Sequence, residues 1–147
     1  MKKVIVPVGL PGSGKTSWIR EHRQDIVAPS VVISGDEIRL MLGMGEYSFS
    51  GGDTDRIICS MIEMAKTFLT EYQIVYLDEY YLSYNDQSRV NTKFLLEDDH
   101  TEVTFHNIFS DLGKCIHRRC TDKRESDTSR WPNVLIAMSK DFEPVAP

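Results

Sequence analysis

Four short apolar runs punctuate the chain, and between them apolar residues recur at helical spacing. Val4, Ile5, Val6 and Val8 form an almost continuous apolar run, the pattern of a parallel strand covered on both faces. VVIS (31–34), IVYL (74–77) and VTFHNIF (103–109) repeat it and predict the second, third and fourth strands. The segment SWIREHRQ (17–24) lacks Gly and Pro and reads as a helix anchored by Trp18 and Ile19. EIRLMLG (37–43) predicts a short helix stopping at Gly43, followed by a Gly/Ser-rich loop, MGEYSFSGGD. From Asp53 or Thr54 to about Tyr72 the spacing predicts a long amphipathic helix, with Ile57, Met61, Met64, Phe68 and Leu69 on one face. Further helices are expected from about Leu82 to Leu96, from about Asp111 to Arg119, and from WPN (131–133) towards FEP (142–144). Met41, Met44, Met61 and Met64 fall at helical spacings and are assigned to the core.

Strands alternating with helices imply an α/β fold, a parallel sheet of about four strands with helices on both faces. The 147 residues suffice for one domain with a proper core, so 1–147 is expected to form a single unit. In such sheets ligands bind beyond the carboxyl ends of the strands. Gly9, Asp36, Asp78 and Phe109 each fall at or just after such an end.

The first of these ends carries the most specific chemistry. Gly9 to Thr16 reads GLPGSGKT, the G-x-x-x-x-G-K-T phosphate loop, between a strand and a helix as the motif requires. Its glycines let successive backbone N–H groups converge on an anion, and the following helix adds its positive dipole end. Gly9, Gly12, Ser13, Gly14 and Ser17 are the expected nucleotide-binding frame. Within it Lys15 reaches the β- and γ-phosphates and Thr16 suits Mg²⁺. Asp36 and Arg39 stand three residues apart and can share one face of a helical turn. A carboxylate there can accept a hydroxyl proton, and an arginine can fork onto an anionic group. Asp36 as a helix cap, with Arg39 solvated, is the alternative.

Charge and composition narrow the partners. Hydrophobic content of 41% and charged content of 27% are those of an ordinary globular protein. No stretch reaches the apolar length of a membrane span. MKKVIVPVGLPG runs straight into the phosphate loop without a small-residue cleavage site, unlike a signal peptide. Cys59, Cys115 and Cys120 lack framework spacing, which suits reduced thiols in a cytoplasm. The net charge of −5 argues against a general polyanion-coating surface. Six basic residues nevertheless cluster between Lys114 and Arg130, against three acids. Cys115, His117 and Cys120 lack the second ligand pair of a zinc site.

Taken in order, GLPGSGKT, GDEIR (35–39), IVYLD (74–78), FSDLGKCIHRRCTDKR (109–124) and RWPNVLIAMSKDFEPV (130–145) resemble the phage-type polynucleotide 5′-hydroxyl kinases, within the small P-loop kinases. The resemblance covers nearly the whole chain and implies a P-loop kinase fold with an arginine-bearing lid over about 111–130. It also implies ATP and Mg²⁺ as cofactors and a nucleic acid 5′-OH end as acceptor. Asp36 would be the general base, and Arg39 would bind the phosphate next to the accepting hydroxyl. Arg118 would contact substrate, and Asp78 would contact substrate, position the Mg²⁺ water shell or cap the next element. Arg119 and Arg124 would stabilise the transferring phosphoryl group, with Arg130 behind them. Two features depart from the family. Asp78-Glu79-Tyr80-Tyr81 stands where it shows a D-x-T-N type element, so that Tyr80, Tyr81 and Tyr84 are either base-stacking or packing residues. The total charge is acidic. Both leave open a small metabolite, nucleoside or nucleotide sugar as acceptor, though not the phosphoryl transfer; a module that binds nucleotide without transfer is the alternative of another class.

Overall fold

The structure, a computed structural model, describes residues 1–45, 53–125, 127–142 and 145. Four parallel strands form one sheet in the order β2-β3-β1-β4. They are β1 (Lys2–Val8), β2 (Ser30–Ser34), β3 (Ile74–Asp78) and β4 (Thr101–Asn107). Helix α1 (Lys15–Gln24) connects β1 to β2, while α2 (Gly35–Leu42) and α3 (Asp53–Phe68) lie between β2 and β3. Helices α4 (Tyr81–Tyr84) and α5 (Asp86–Leu96) lead to β4, followed by α6 (Leu112–Cys120) and α7 (Trp131–Asp141).

The apolar run of β1 is explained by its place inside the sheet. It pairs with β3 on one side and β4 on the other, and its successive side chains face opposite layers. Val4 and Val6 enter a core with Ile57, Ile58, Met61, Ile62 and Ala65 of α3. Ile5 turns the other way, against Ile19 of α1 with Ile74 and Tyr76 of β3. A third cluster joins Cys115 of α6 to Trp131 and Leu135 of α7. No helix among the described residues is long and apolar enough to cross a membrane.

Several expected boundaries and burials differ from the structure. Met61 is buried at 1%, but Met41, Met44 and Met64 are exposed at 69%, 96% and 37%. The buried stripe of α3 is centred between Ile57 and Ile62, which leaves Met64 at its margin. The helix expected from Leu82 to Leu96 is two helices, because Asn85 adopts an extended backbone and its side chain accepts from Ser88 N, starting α5 afresh. Helix α3 stops at Phe68, short of the expected Tyr72, and turn hydrogen bonds take over through Tyr72 N to Phe68 O. Strand β4 ends at Asn107, before Ile108 and Phe109. Most of the Gly/Ser-rich loop, residues 46–52, and Glu143 and Pro144 of the FEP segment lie outside the described residues.

Candidate active site

The carboxyl ends of β1, β2 and β3 open onto one cleft of about 270 Å³. Its floor is the loop after β1. Gly12 and Gly14 take positive φ of 81° and 100°, a conformation that only glycine adopts without strain. Gly14 also stands at the N-cap of α1 and contributes no capping side chain, so the amides of the first helical turn remain available to an anion. Behind the loop, Gly9 N donates to Ser83 Oγ of α4 at 2.9 Å, a buried contact that holds its start. Sequence reading missed Ser83, since a serine 74 residues away carries no local signal.

Lys15 is 7% exposed, and its Nζ donates to the carbonyls of Gly9 at 2.9 Å and Leu10 at 3.0 Å. Burial pushes its pKa below the ordinary lysine value, and Asp78, Asp36 and Glu79 pull it partly back. Thr16 Oγ1 donates to Asp78 Oδ2 at 2.6 Å. Burial raises the Asp78 carboxyl above its usual range, against the opposing pull of Lys15 and the Thr16 hydroxyl. Hydroxyl and carboxylate oxygens side by side, next to a phosphate nest, form a donor set suited to Mg²⁺.

Across the cleft, Ser34 rather than Asp36 caps α2, its Oγ accepting from Glu37 N at 3.3 Å. Asp36 lines the cleft from the first turn of α2. Arg39, one turn on, does not line it among the described residues. It is 1% exposed, with Nη1 donating to Glu79 Oε2 at 2.8 Å and reaching Asp36 Oδ1 at 3.4 Å. Burial works against that charge, and the Glu79 charge and hydrogen bond outweigh it. Tyr80 lines the cleft, with the Arg39 guanidinium 4.8 Å from its ring centroid. Glu79 is a second residue that sequence reading missed as a partner, since a carboxylate after a strand looks solvent-bound. The side chains of Tyr81 and Tyr84 lie outside the described residues.

The basic segment closes the remaining side and divides into separate tasks. Arg118 Nη1 donates to Gly12 O at 2.8 Å, and α6 packs so closely that a Cβ on Gly12 would stand 2.6 Å from the Cys115 carbonyl oxygen. Arg119 is buried at 7%. Its guanidinium lies 3.8 Å from Asp36 Oδ2, 3.3 Å from Glu125 Oε2 and 4.2 Å above the Trp131 ring. Glu125, absent from the sequence-level candidates, also accepts from Trp131 Nε1 at 2.5 Å and Arg130 Nη2 at 3.3 Å. Arg124 is half-exposed; it holds Asp122 through Nε and Nη2 at 3.1 and 3.0 Å. Hydrogen bonding to Arg124 outweighs burial and keeps the Asp122 carboxyl below its usual range. Arg118, Arg119, Asp122 and Arg124 all line the cleft. Lys15, Thr16, Asp36, Asp78 and these arginines therefore converge, while neither buried Arg39 nor the more exposed Arg130 is among the described residues that line the cleft. Ser17 lines the cleft beside Thr16.

Neither a protein-family model nor a curated protein sequence matches the chain. Solved structures do. A chain of the Pnkp1/Rnl/Hen1 complex matches with TM-score 0.64 at 20% identity, over 87% of this chain and 42% of that one. A chain of the Pnkp1/Rnl/Hen1 RNA repair complex matches with TM-score 0.63 at 18% identity, over 98% and 48%. The crystal structure of APE1195 matches with TM-score 0.68 at 19% identity, over 99% and 82%. The chain thus spans less than half the length of the two complex components. At these identities the likeness shows the fold, an α/β P-loop fold with a four-stranded parallel sheet flanked by helices.

Proposed function

We propose that this chain is a kinase that moves the γ-phosphoryl group of ATP to the 5′-hydroxyl end of a polynucleotide, acting as a single unit. The observation that carries the reading is the convergence of a phosphate loop and a carboxylate, Asp36, on opposite walls of one cleft. A module that only binds nucleotide has no use for the second wall. The fold shared with a component of an RNA repair complex supports a nucleic acid end as the acceptor.

In the proposed step, Asp36 takes the proton of the acceptor hydroxyl as its oxygen bonds to the γ-phosphorus. The bond to the bridging oxygen breaks, and ADP leaves with that electron pair. The loop amides and Lys15 hold the donor phosphates, and Arg118 stands at the loop's mouth to meet charge on the transferring group. Thr16 and Asp78 are the residues that would hold Mg²⁺, which supplies charge neutralisation on the phosphate oxygens. Arg119 touches Asp36 and orients it.

A small hydroxyl-bearing metabolite or nucleoside is the second reading, favoured by one observation: Arg39 is paired inside the wall and not in the cleft. The test is transfer of labelled γ-phosphate, with Mg²⁺, to 5′-OH oligonucleotides beside a set of nucleosides and sugars. Label on oligonucleotide 5′ ends that disappears in Asp36→Asn upholds the first reading. Label confined to a small acceptor overturns the substrate and keeps the chemistry; no label on any acceptor overturns the kinase.

A further inference from the structure

Beyond the phosphate loop, α1 carries a second row of chemistry. Thr16, Arg20 and Arg23 follow one another at helical spacing on one stripe, which runs about 10 Å along the helix axis. Strand β2 is an edge of the sheet, so the channel between it and α1 opens to solvent. That channel has a volume of about 600 Å³ and is lined by the stripe, with Ile19, Ile26 and Val32 as an apolar floor.

The positive charge of the channel is not neutralised from within. Arg20 is exposed and meets no carboxylate among the described residues. Arg23 donates to Ser30 Oγ at 3.0 Å and to the Ser30 carbonyl at 3.2 Å. Both acceptors are uncharged, so they fix the guanidinium and leave its charge intact. Glu21 of α1 and Asp25 at its end do not line the channel. In a chain of net charge −5, this pair of arginines gives a local field for an anion. The channel is also continuous with the site. Thr16 lines both channel and cleft, and β2 leads past Val32 to Ser34 and then to Asp36 of α2.

We infer that the channel between α1 and β2 is an interaction surface for a nucleic acid strand. An acceptor whose end reaches Asp36 lies along β2, with backbone phosphates beyond its terminal nucleotide on Arg20 and Arg23. Its sugars and bases cover Ile19, Ile26 and Val32. The surface is separate from the basic segment that closes the cleft. The inference rests on the phosphoryl-transfer reading above and adds to it a preference for long acceptors.

The experiment compares a 5′-OH thymidine dinucleotide with a 5′-OH oligothymidylate of about ten nucleotides. Both are acceptors at saturating Mg-ATP for the wild-type protein, Arg20→Gln and Arg20→Lys. The wild-type KM should be lower for the longer acceptor by about tenfold or more. Arg20→Gln should bring the two within about threefold, and Arg20→Lys, which keeps the charge, should restore most of the difference. Binding of the longer strand should weaken with salt, with a slope that Arg20→Gln makes shallower by about one. Equal wild-type KM values, or a length preference that Arg20→Gln leaves unchanged, overturn the inference while the kinase reading stands. If neither acceptor is phosphorylated, the kinase reading fails, and fluorescence anisotropy of the labelled longer strand decides alone. Weaker binding by Arg20→Gln than by wild type then upholds the channel; equal binding, or none by wild type, overturns it.

Discussion

The hydroxyl of Thr16 donates to the Asp78 carboxylate across 2.6 Å, tying the first turn of α1 to the end of β3. The two oxygens come from elements 62 residues apart and meet beside the phosphate nest. If they share a metal site, either loss weakens the same ion. Thr16→Ala and Asp78→Asn should each raise the Mg²⁺ concentration needed for half-maximal transfer by about 10- to 100-fold. The double variant should be little worse than the more damaging single one. A Mg²⁺ titration of the transfer rate checks this, and an unchanged midpoint in both single variants removes Thr16 and Asp78 from the metal site.

Arg118 and Arg124 both line the cleft; Arg118 bonds the phosphate loop, while Arg124 holds Asp122. Arg118→Ala should therefore lower kcat by about 10³-fold, in the range of an arginine that meets transition-state charge. Arg124→Ala should lower it by less than about tenfold, the loss from a residue that holds Asp122 rather than the transferring group. Steady-state kinetics at saturating ATP distinguish them, and the reverse order would reassign the roles.

Glu125 gathers Arg119, Arg130 and the Trp131 indole N–H around one carboxylate that is 8% exposed. Removing it takes a shared acceptor from the buried Trp131 indole N–H and from the Arg119 guanidinium. Glu125→Ala should destabilise the fold by about 3–5 kcal/mol, the usual effect of breaking a buried ion pair. Urea unfolding followed by tryptophan fluorescence reads it. A loss under about 1 kcal/mol would mean that the network behaves like an exposed ion pair.

Gly12 combines a φ of 81° with a 2.6 Å approach between its would-be Cβ and the Cys115 carbonyl oxygen. Backbone on both sides leaves nothing flexible to move aside. Gly12→Ala should cost about 1–3 kcal/mol and weaken ATP binding by prising α6 from the loop. Thermal melts with and without Mg-ATP test both effects; an unchanged melting temperature would contradict the close packing.

On the opposite face of the sheet, Trp18 stacks on His22 at 4.7 Å and approaches His106 at 5.2 Å. His22 Nδ1 shares a 2.7 Å hydrogen bond with the Tyr76 hydroxyl, and His106 Nε2 lies 3.3 Å from Thr104 Oγ1. Burial, with a smaller push from His22, lowers the His106 pKa below its ordinary 6.5. The native protein then binds fewer protons than the unfolded chain just below that value. The stability His106 contributes is present above pH 6.5 and declines as pH falls below it. His106→Gln should flatten this acid limb in denaturation curves recorded from about pH 7 to 5. An identical slope in the variant would assign the limb to other groups.

Much of this protein is legible along the chain because its signals are local. The apolar runs of β1 and β3, the glycine spacing of the phosphate loop and its following helix all depend on neighbours within a few residues. So does the order of strands and helices that brings Lys15, Asp36 and Asp78 to one edge. Asn85 shows the same locality in reverse: its side-chain cap splits α4 from α5 inside a stretch whose apolar spacing reads as one helix.

Pairings over long separations are different, because the free energy of a buried ion pair or a close backbone contact depends on what the fold brings alongside. Arg39 is polar, and its position one turn from Asp36 points equally to a cleft or to solvent. Only the adjacency of β2 and β3 delivers Glu79, 40 residues away, into contact with it and turns a candidate clamp into part of a wall. The same holds for Ser83 beneath Gly9 and for Arg118, rather than Arg119, at the phosphate loop. The sequence by itself determined the sheet, the phosphate loop and the edge where chemistry gathers, since periodicity and turn residues encode them. Tertiary packing alone decided which charges face the cleft, because desolvation leaves a charge buried only where a partner meets it.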